Sequence, residues 1–247
     1  MSTKIFDCDL IRILWTIQLY KDEKGGNQMP QNINSNISKT FAAQSHYTTL
    51  QLRKQFADHI YNPHNLTVFD DTILIMDTGS VIELNGELEL CGGCMDNYHR
   101  SLILRMDRYS RLIVTGKKFS FFYGGDIVLF SNAVLTLGNS FINSECKIRC
   151  GKSISIGDDC AISHGVTIMD SDFHILIDAD GEKPRYGDGI VIEDHVWIGT
   201  DVKILKNVHI GEGTIIAGSI VTDNIPPHSL AAGSPAKVIK TNVDWKK

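Results

Sequence analysis

The residues of this 247-residue chain that could exchange protons concentrate in Met169-Asp170-Ser171-Asp172-Phe173-His174. An imidazole, with an ordinary pKa of roughly 6.5, takes up or releases a proton near neutrality, whereas a carboxylate is poorly matched to that pH. Asp170 and Asp172 are therefore read as shaping the loop or hydrogen-bonding the ring. Of the nine histidines, His164, His195 and His209 fall on positions of a regular repeat and are assigned to its surface. His174 falls outside the repeat. A second cluster, Cys91-Gly92-Gly93-Cys94 with His99, has the make-up of half a zinc site. No second pair stands at a matching spacing, and buried thiols packed as small hydrophobes are the preferred reading, since Cys160 already occupies a repeat position.

The element that must position His174 is the repeat itself. Ile192, Ile198, Ile204, Ile210 and Ile216 recur every six residues, and Val196, Val202, Val208, Thr214 and Ile220 stand four residues after each. A period of six fits neither a helix nor one flat strand, but three such segments make one triangular coil of a parallel β-helix. The isoleucines then point inward, and Gly199, Gly211 and Ala217 supply small corners. Ile156, Ile162 and Ile168 keep the same step upstream. The twenty-four residues from Ile168 to Ile192 leave room for an extruded segment of about one coil. A regular scaffold carries its chemistry on such loops.

A net charge of −5 argues against a nucleic-acid partner, which would call for a basic face. No apolar run approaches a membrane span, and Asp7, Asp9 and Arg12 interrupt the stretch where a signal peptide would be apolar, so the chain reads as cytoplasmic. Leu10, Ile13, Leu14 and Ile17 lie at helical spacing, and a polar linker runs to about Lys39. Leu52, Phe56 and Ile60, with Ala57 and Tyr61, predict a second short helix stopped by Pro63. From Val68 onward short strands follow one another: Ile73–Ile75, Val81–Leu84, Leu88–Leu90, Leu102–Leu104, Leu112–Val114, Ile127–Leu129 and Val134-Leu135. They are read as irregular early coils, with a separate β-sandwich as the alternative. Pro226-Pro227 ends the regular repeat, and the segment from Ala231 to Lys240 covers the last open edge. The expected division is a helical appendage and linker over 1–65, the β-helix over 66–225 with 170–189 extruded, and a closing segment over 226–247.

Four stretches together resemble the hexapeptide-repeat acyltransferases, in the branch holding galactoside, maltose, xenobiotic and polysaccharide O-acetyltransferases. They are Val196-Trp197-Ile198-Gly199, Val208-His209-Ile210-Gly211-Glu212-Gly213, Ala217-Gly218-Ser219-Ile220-Val221-Thr222 and Gly233-Ser234-Pro235-Ala236-Lys237-Val238-Ile239. The resemblance is strong from Ile127 to Ile239. It implies an all-β solenoid, specifically a left-handed parallel β-helix, and an acetyl-CoA-dependent acetyltransferase working as a homotrimer on a sugar or polysaccharide-precursor hydroxyl.

The resemblance further implies that His174 is the general base and that Asn143, in Phe141-Ile142-Asn143, contacts the acceptor hydroxyl; a corner turn is the other reading of Asn143. The two are 31 positions apart, which would bring them together on successive coils. Asp170 and Asp172 join the acceptor side. Thr200, Ala217 and Thr222 are the implied contacts for acetyl-CoA, with Lys237 and Lys240 near its phosphates and Trp197 packing on the cofactor arm, at a subunit interface, or both. An oxyanion donor is expected at the backbone N–H of Thr200 or Trp197. Three departures stand out. Asp223 replaces a lysine beside those phosphates, the segment after Ile216 is one residue short, and Lys206-Asn207 replaces a proline–glycine corner that Asn can still form. The loop offers no serine–histidine pair or activated cysteine, so direct transfer is expected. N-acetylation of an amino sugar, acetylation of an antibiotic hydroxyl, and a catalytically silent trimeric scaffold are the competing readings.

Overall fold

In the computed structural model, residues 49–69, 71–93, 100–183 and 187–247 are described. The expected helix around Leu10–Ile17, Cys94, His99 and the Pro184-Arg185-Tyr186 segment lie outside them. Strands follow one another around three parallel sheets, and every third strand returns to the same sheet. The first face holds Ile60–Tyr61, Val81–Leu84, Arg111–Val114, Val134–Leu137, Ser153–Ile156, Ile190–Ile192 and His209–Ile210. The second face begins with Leu66–Val68 and, in the coils of interest, holds Ser140–Ile142, Ala161–Ile162, Trp197–Ile198 and Ile215–Ala217. The third runs from Thr72–Met76 through Lys147–Cys150, Thr167–Met169 and Lys203–Ile204 to Ile220–Val221. This is a parallel β-helix, and the early strands are its coils rather than a sandwich.

The isoleucine ladders fill the prism. Ile162, Ile198 and Ile216 stand in register on the second face and are buried. Ile156, Ile192 and Ile210 do the same on the first. Dry aliphatic stacks of this kind gain about 1.5–3 kcal/mol for each fully buried side chain relative to exposure. Cys146 and Cys160 take inward positions beside these ladders, in register with valines, as thiols outside any disulfide, and Cys91 is likewise buried. Burial pushes the Cys160 thiol up to about 11 and Cys146 up to about 12, so both remain protonated at neutral pH.

The expected helix is shorter than its apolar spacing suggests. It spans Thr49–Gln55, and Ile60 instead pairs with Ile82 as the first strand. Leu52 and Phe56 are buried against the core cluster, where they close the open end of the first coil. At the other end the seventh coil is short: Ile204 pairs with Val221, seventeen positions on, where the preceding ladder step is eighteen. Ser219 and Val221 therefore point inward and Ile220 does not, which corrects the six-residue phase assumed for Ile220. The Asn207 corner survives with φ 66°.

The strand Ser229–Gly233 adds to the second sheet, and Ala236–Thr241 pairs with it antiparallel, ending the sheet as a hairpin. The last residues then turn back along the corner between the first and second faces. Val243 N–H bonds the His228 carbonyl at 3.0 Å, and Trp245 stacks on His195 with ring centroids 4.6 Å apart. Lys247 pairs with Asp159 at 2.6 Å and lies over the Phe141 ring. Among the described residues no helix is long and apolar enough to cross a membrane.

Candidate active site

The extruded segment leaves the third face after Met169 and returns at Ile190. Ile168 pairs with Ile204, thirty-six positions on, whereas Ile198 pairs with Ile216 after eighteen. The insertion is thus one coil long, and both neighbouring ladders keep their phase.

Asp170 anchors its start. The residue is fully buried, and its carboxylate accepts N–H bonds from Gly151 (2.5 Å), Lys152 (2.9 Å) and Ser153 (2.8 Å) at the corner one coil below. A carboxylate so enclosed shapes the loop and has no oxygen to offer an acceptor sugar, which corrects its expected place among the substrate contacts. Asp172 forms an ion pair with Lys206 of the next coil. Neither carboxylate hydrogen-bonds the imidazole. Phe173, with φ 58°, turns its ring onto Phe130 at 4.7 Å. His174 follows immediately. It is exposed, and among the described residues its ring has no hydrogen-bond partner. Beyond it a small hairpin, Leu176–Asp178 against Gly181–Lys183, projects with Ile175, Leu176 and Ile177 exposed. The loop re-enters where Lys152 Nζ bonds the Gly187 carbonyl (2.9 Å) and Asn207 Oδ1 accepts the Asp188 N–H (2.7 Å).

Asn143 stands at another corner, between the second and third faces. Its Oδ1 accepts the Ser144 N–H at 2.7 Å, a corner-turn bond. Asn143 follows a second-face strand and His174 a third-face strand, so within one chain they stand at different corners rather than in line on successive coils. Corners repeat once per coil, and 31 residues is one coil plus a further face and part of the loop. Beside Asn143, Ser144 Oγ lies 3.0 Å from His164 Nδ1, while His164 Nε2 is 3.9 Å from Glu145.

Above Asn143 the same corner carries Ser163, Gly199 and Ala217, following the register Ile142–Ile162–Ile198–Ile216. A Cβ at Gly199 would come within 2.8 Å of the Ile216 carbonyl, so the small residue is required by coil stacking. Thr200 and Trp197 flank this corner, both exposed, and the Trp197 Nε1–H points to Ser163 Oγ at 3.4 Å. The Trp197 backbone N–H is taken by the Thr214 carbonyl at 2.9 Å, while the Thr200 N–H has no acceptor among the described residues. Of the two expected oxyanion donors, Thr200 alone has its N–H available.

Thr222 follows the third face and sits one face away from Thr200 and Ala217, so the implied acetyl-CoA contacts divide between two corners of the prism. Lys237 and Lys240 project from the closing hairpin, both exposed. Asp223 accepts from Thr222 Oγ1 (3.1 Å) and pairs with Lys237 (3.4 Å), so the departure from lysine is partly neutralised. The sequence reading missed Lys206 and Phe130 as partners of the loop, and Trp245 beside Trp197. Lys206 was within reach of register arithmetic, since it lies thirty-six positions after Asp170, directly one coil above.

Coils of six-residue steps with one histidine-bearing extrusion define a β-helical repeat scaffold. Residues 189–223 match the family described as bacterial transferase hexapeptide (six repeats). A Saccharomyces cerevisiae protein named as an acetyltransferase is 31% identical over 153 residues, covering 62% of this chain and 67% of that one. The polysialic acid O-acetyltransferase of Escherichia coli O1:K1 is 33% identical over 126 residues, covering 50% of this chain and 39% of the relative. The galactoside O-acetyltransferase of Escherichia coli K12 is 36% identical over 110 residues, 44% of this chain and 54% of the relative. The chain thus spans about half the length, or less, of these two bacterial relatives. It belongs to the hexapeptide-repeat transferases, and its coil is the left-handed parallel β-helix of that family.

Proposed function

We propose that the protein is an acetyl-CoA-dependent O-acetyltransferase acting on a sugar hydroxyl of a polysaccharide or its precursor, as a cytoplasmic homotrimer. The observation that carries this reading is the register-neutral extrusion presenting an exposed His174 imidazole from a hexapeptide-repeat scaffold. Two related proteins named as O-acetyltransferases of galactoside and polysialic acid support the acceptor class. The residues fit acetyl-CoA as donor: Gly199 and Ala217 leave the corner narrow enough for an extended arm, and exposed Lys237 and Lys240 offer positive charge to its phosphates.

In the proposed reaction His174 accepts the proton of the acceptor hydroxyl, and the oxygen attacks the thioester carbon. The Thr200 N–H stabilises the resulting oxyanion. Collapse breaks the carbon–sulfur bond, and the proton passes from the imidazolium to the departing CoA thiolate. The division of the site between two corners favours a trimer, because a neighbouring copy would bring its third-to-first corner, with His174 and Thr222, against this chain's Asn143, Thr200 and Ala217.

The test is CoA-thiol release from acetyl-CoA over a panel of hydroxyl sugars, amino sugars and hydroxyl-bearing antibiotics, with His174→Ala alongside. Release that requires a hydroxyl sugar and falls by at least about 100-fold in the variant, with acetyl-CoA binding retained, is the expected outcome. Release with amino sugars alone would move the reaction to N-acetylation, and equal turnover in the variant would remove His174 as the base. Absence of both release and acetyl-CoA binding would leave a scaffold.

A further inference from the structure

Three contacts made by the residues just before His174 bear on how that side chain is held. The Asp170 carboxylate is sealed into the coil below by three N–H bonds. Asp172 is ion-paired to Lys206 on the coil above. Phe173 folds back on Phe130, which follows the third-face strand Asp126–Leu129. These grips come from three different levels of the β-helix, and none belongs to the hairpin beyond. After His174 the character changes, with Ile175, Leu176 and Ile177 exposed at 55%, 59% and 69%.

We infer that Lys206 and Phe130 are positioning residues for the His174 imidazole, fixing the backbone that carries it through Asp172 and Phe173. This rests on His174 being the base of the reaction proposed above. A proton acceptor must lie within hydrogen-bond reach of the hydroxyl at the moment of attack, and misplacement by about 1 Å can cost on the order of 100-fold in rate. Lys206 thereby ties the loop to the coil above through its pair with Asp172.

Lys206→Met keeps the aliphatic stem and removes the charge; Lys206→Arg restores it; Phe130→Leu removes the ring contact. Turnover with the acceptor identified in the panel should fall about 10- to 100-fold in Lys206→Met and Phe130→Leu, with KM for acetyl-CoA unchanged, and recover in Lys206→Arg. Amide hydrogen exchange over residues 171–176, read without any substrate, should speed up in the same two variants and not in Lys206→Arg. Wild-type kcat and exchange in Lys206→Met, with His174→Ala inactive, would overturn the positioning role and leave the base in place. An active His174→Ala would overturn both. A fall in kcat accompanied by a matching rise in KM for acetyl-CoA would assign Lys206 to donor binding instead.

Discussion

Replacing Asp170 by Asn tests how the extrusion is fastened. The substitution keeps one oxygen, which can go on serving the Lys152 and Ser153 N–H groups that Oδ2 now meets at 2.9 and 2.8 Å. The new amide nitrogen then faces the Gly151 N–H, which loses its 2.5 Å acceptor inside a fully buried corner. One orphaned buried donor costs about 1–3 kcal/mol, and two bonds weakened from charged to neutral acceptor lose about 1 kcal/mol each, roughly 3–5 kcal/mol together. For a chain of this length that corresponds to a fall in Tm on the order of 10 °C. Asp172→Asn is the control, because its exposed ion pair should contribute no more than about 1 kcal/mol. Thermal melts at one protein concentration, so that subunit association does not enter the comparison, would separate the two. If Asp170→Asn melts within a degree or two of wild type, or no lower than Asp172→Asn, the three N–H bonds do not hold the corner as argued.

Two further outcomes follow from the closing segment. The hydrogen bond that the His195 ring donates to the Asp159 carboxylate, helped by one to Asp244, raises the His195 pKa; Lys247 and His195 lower that of Asp159, and the Trp245 N–H and His195 lower that of Asp244. The raised histidine contributes fully below about pH 6.5 and is lost as pH climbs through its folded value, while the lowered carboxylates contribute above about pH 4 and are lost below it. The C-terminal strap should therefore dock best between about pH 4 and 6.5 and loosen on the alkaline side. Trp245 fluorescence, taken as wild type minus Trp245→Phe, should shift to the red above neutrality, and a flat trace from pH 5 to 9 would contradict the sign. Separately, Asp223→Asn should free Lys237 from its 3.4 Å pair and lower KM for acetyl-CoA by about threefold to tenfold, with kcat unchanged; an unchanged KM would place Lys237 away from the phosphates.

The late coils were legible because their strands are two or three residues long and their ladders step by eighteen, so isoleucine spacing reports the geometry directly. The early coils obey the same topology with wider steps. Ile82 pairs with Leu112 after thirty residues, Leu112 with Leu135 after twenty-three, and Ile127 with Ile148 after twenty-one. A drifting period hides the repeat, and with it the strand Lys118–Phe122, whose Phe119 and Phe121 fill the core. Ile60 fits a helix and a strand equally because the two spacings coincide over so short a stretch, and pairing with Ile82 decides for the strand. At the site, loop and histidine were visible in the sequence. Their fastening was not, since Phe130 and Phe173 are joined only by folding. Asn143 was placed by distance along the chain, when what matters in a triangular coil is the remainder after whole turns.

The C-terminal strap changes how such a molecule comes apart. In a solenoid each coil ordinarily touches only the coils above and below, so unfolding can begin at an end and travel inward one repeat at a time. Here residues 243–247 run against that direction, meeting His228 beyond the last coil, His195 and Asp159 at successive corners, and Phe141 lower still. Residues distant along the stack thereby share one ligand, and the terminal coil cannot fray without also releasing contacts made several layers below. A nearest-neighbour array becomes, over that stretch, a single cooperative block. The block includes the coils on either side of the extrusion, so the segment bearing His174 springs from the part of the solenoid least able to loosen piecemeal.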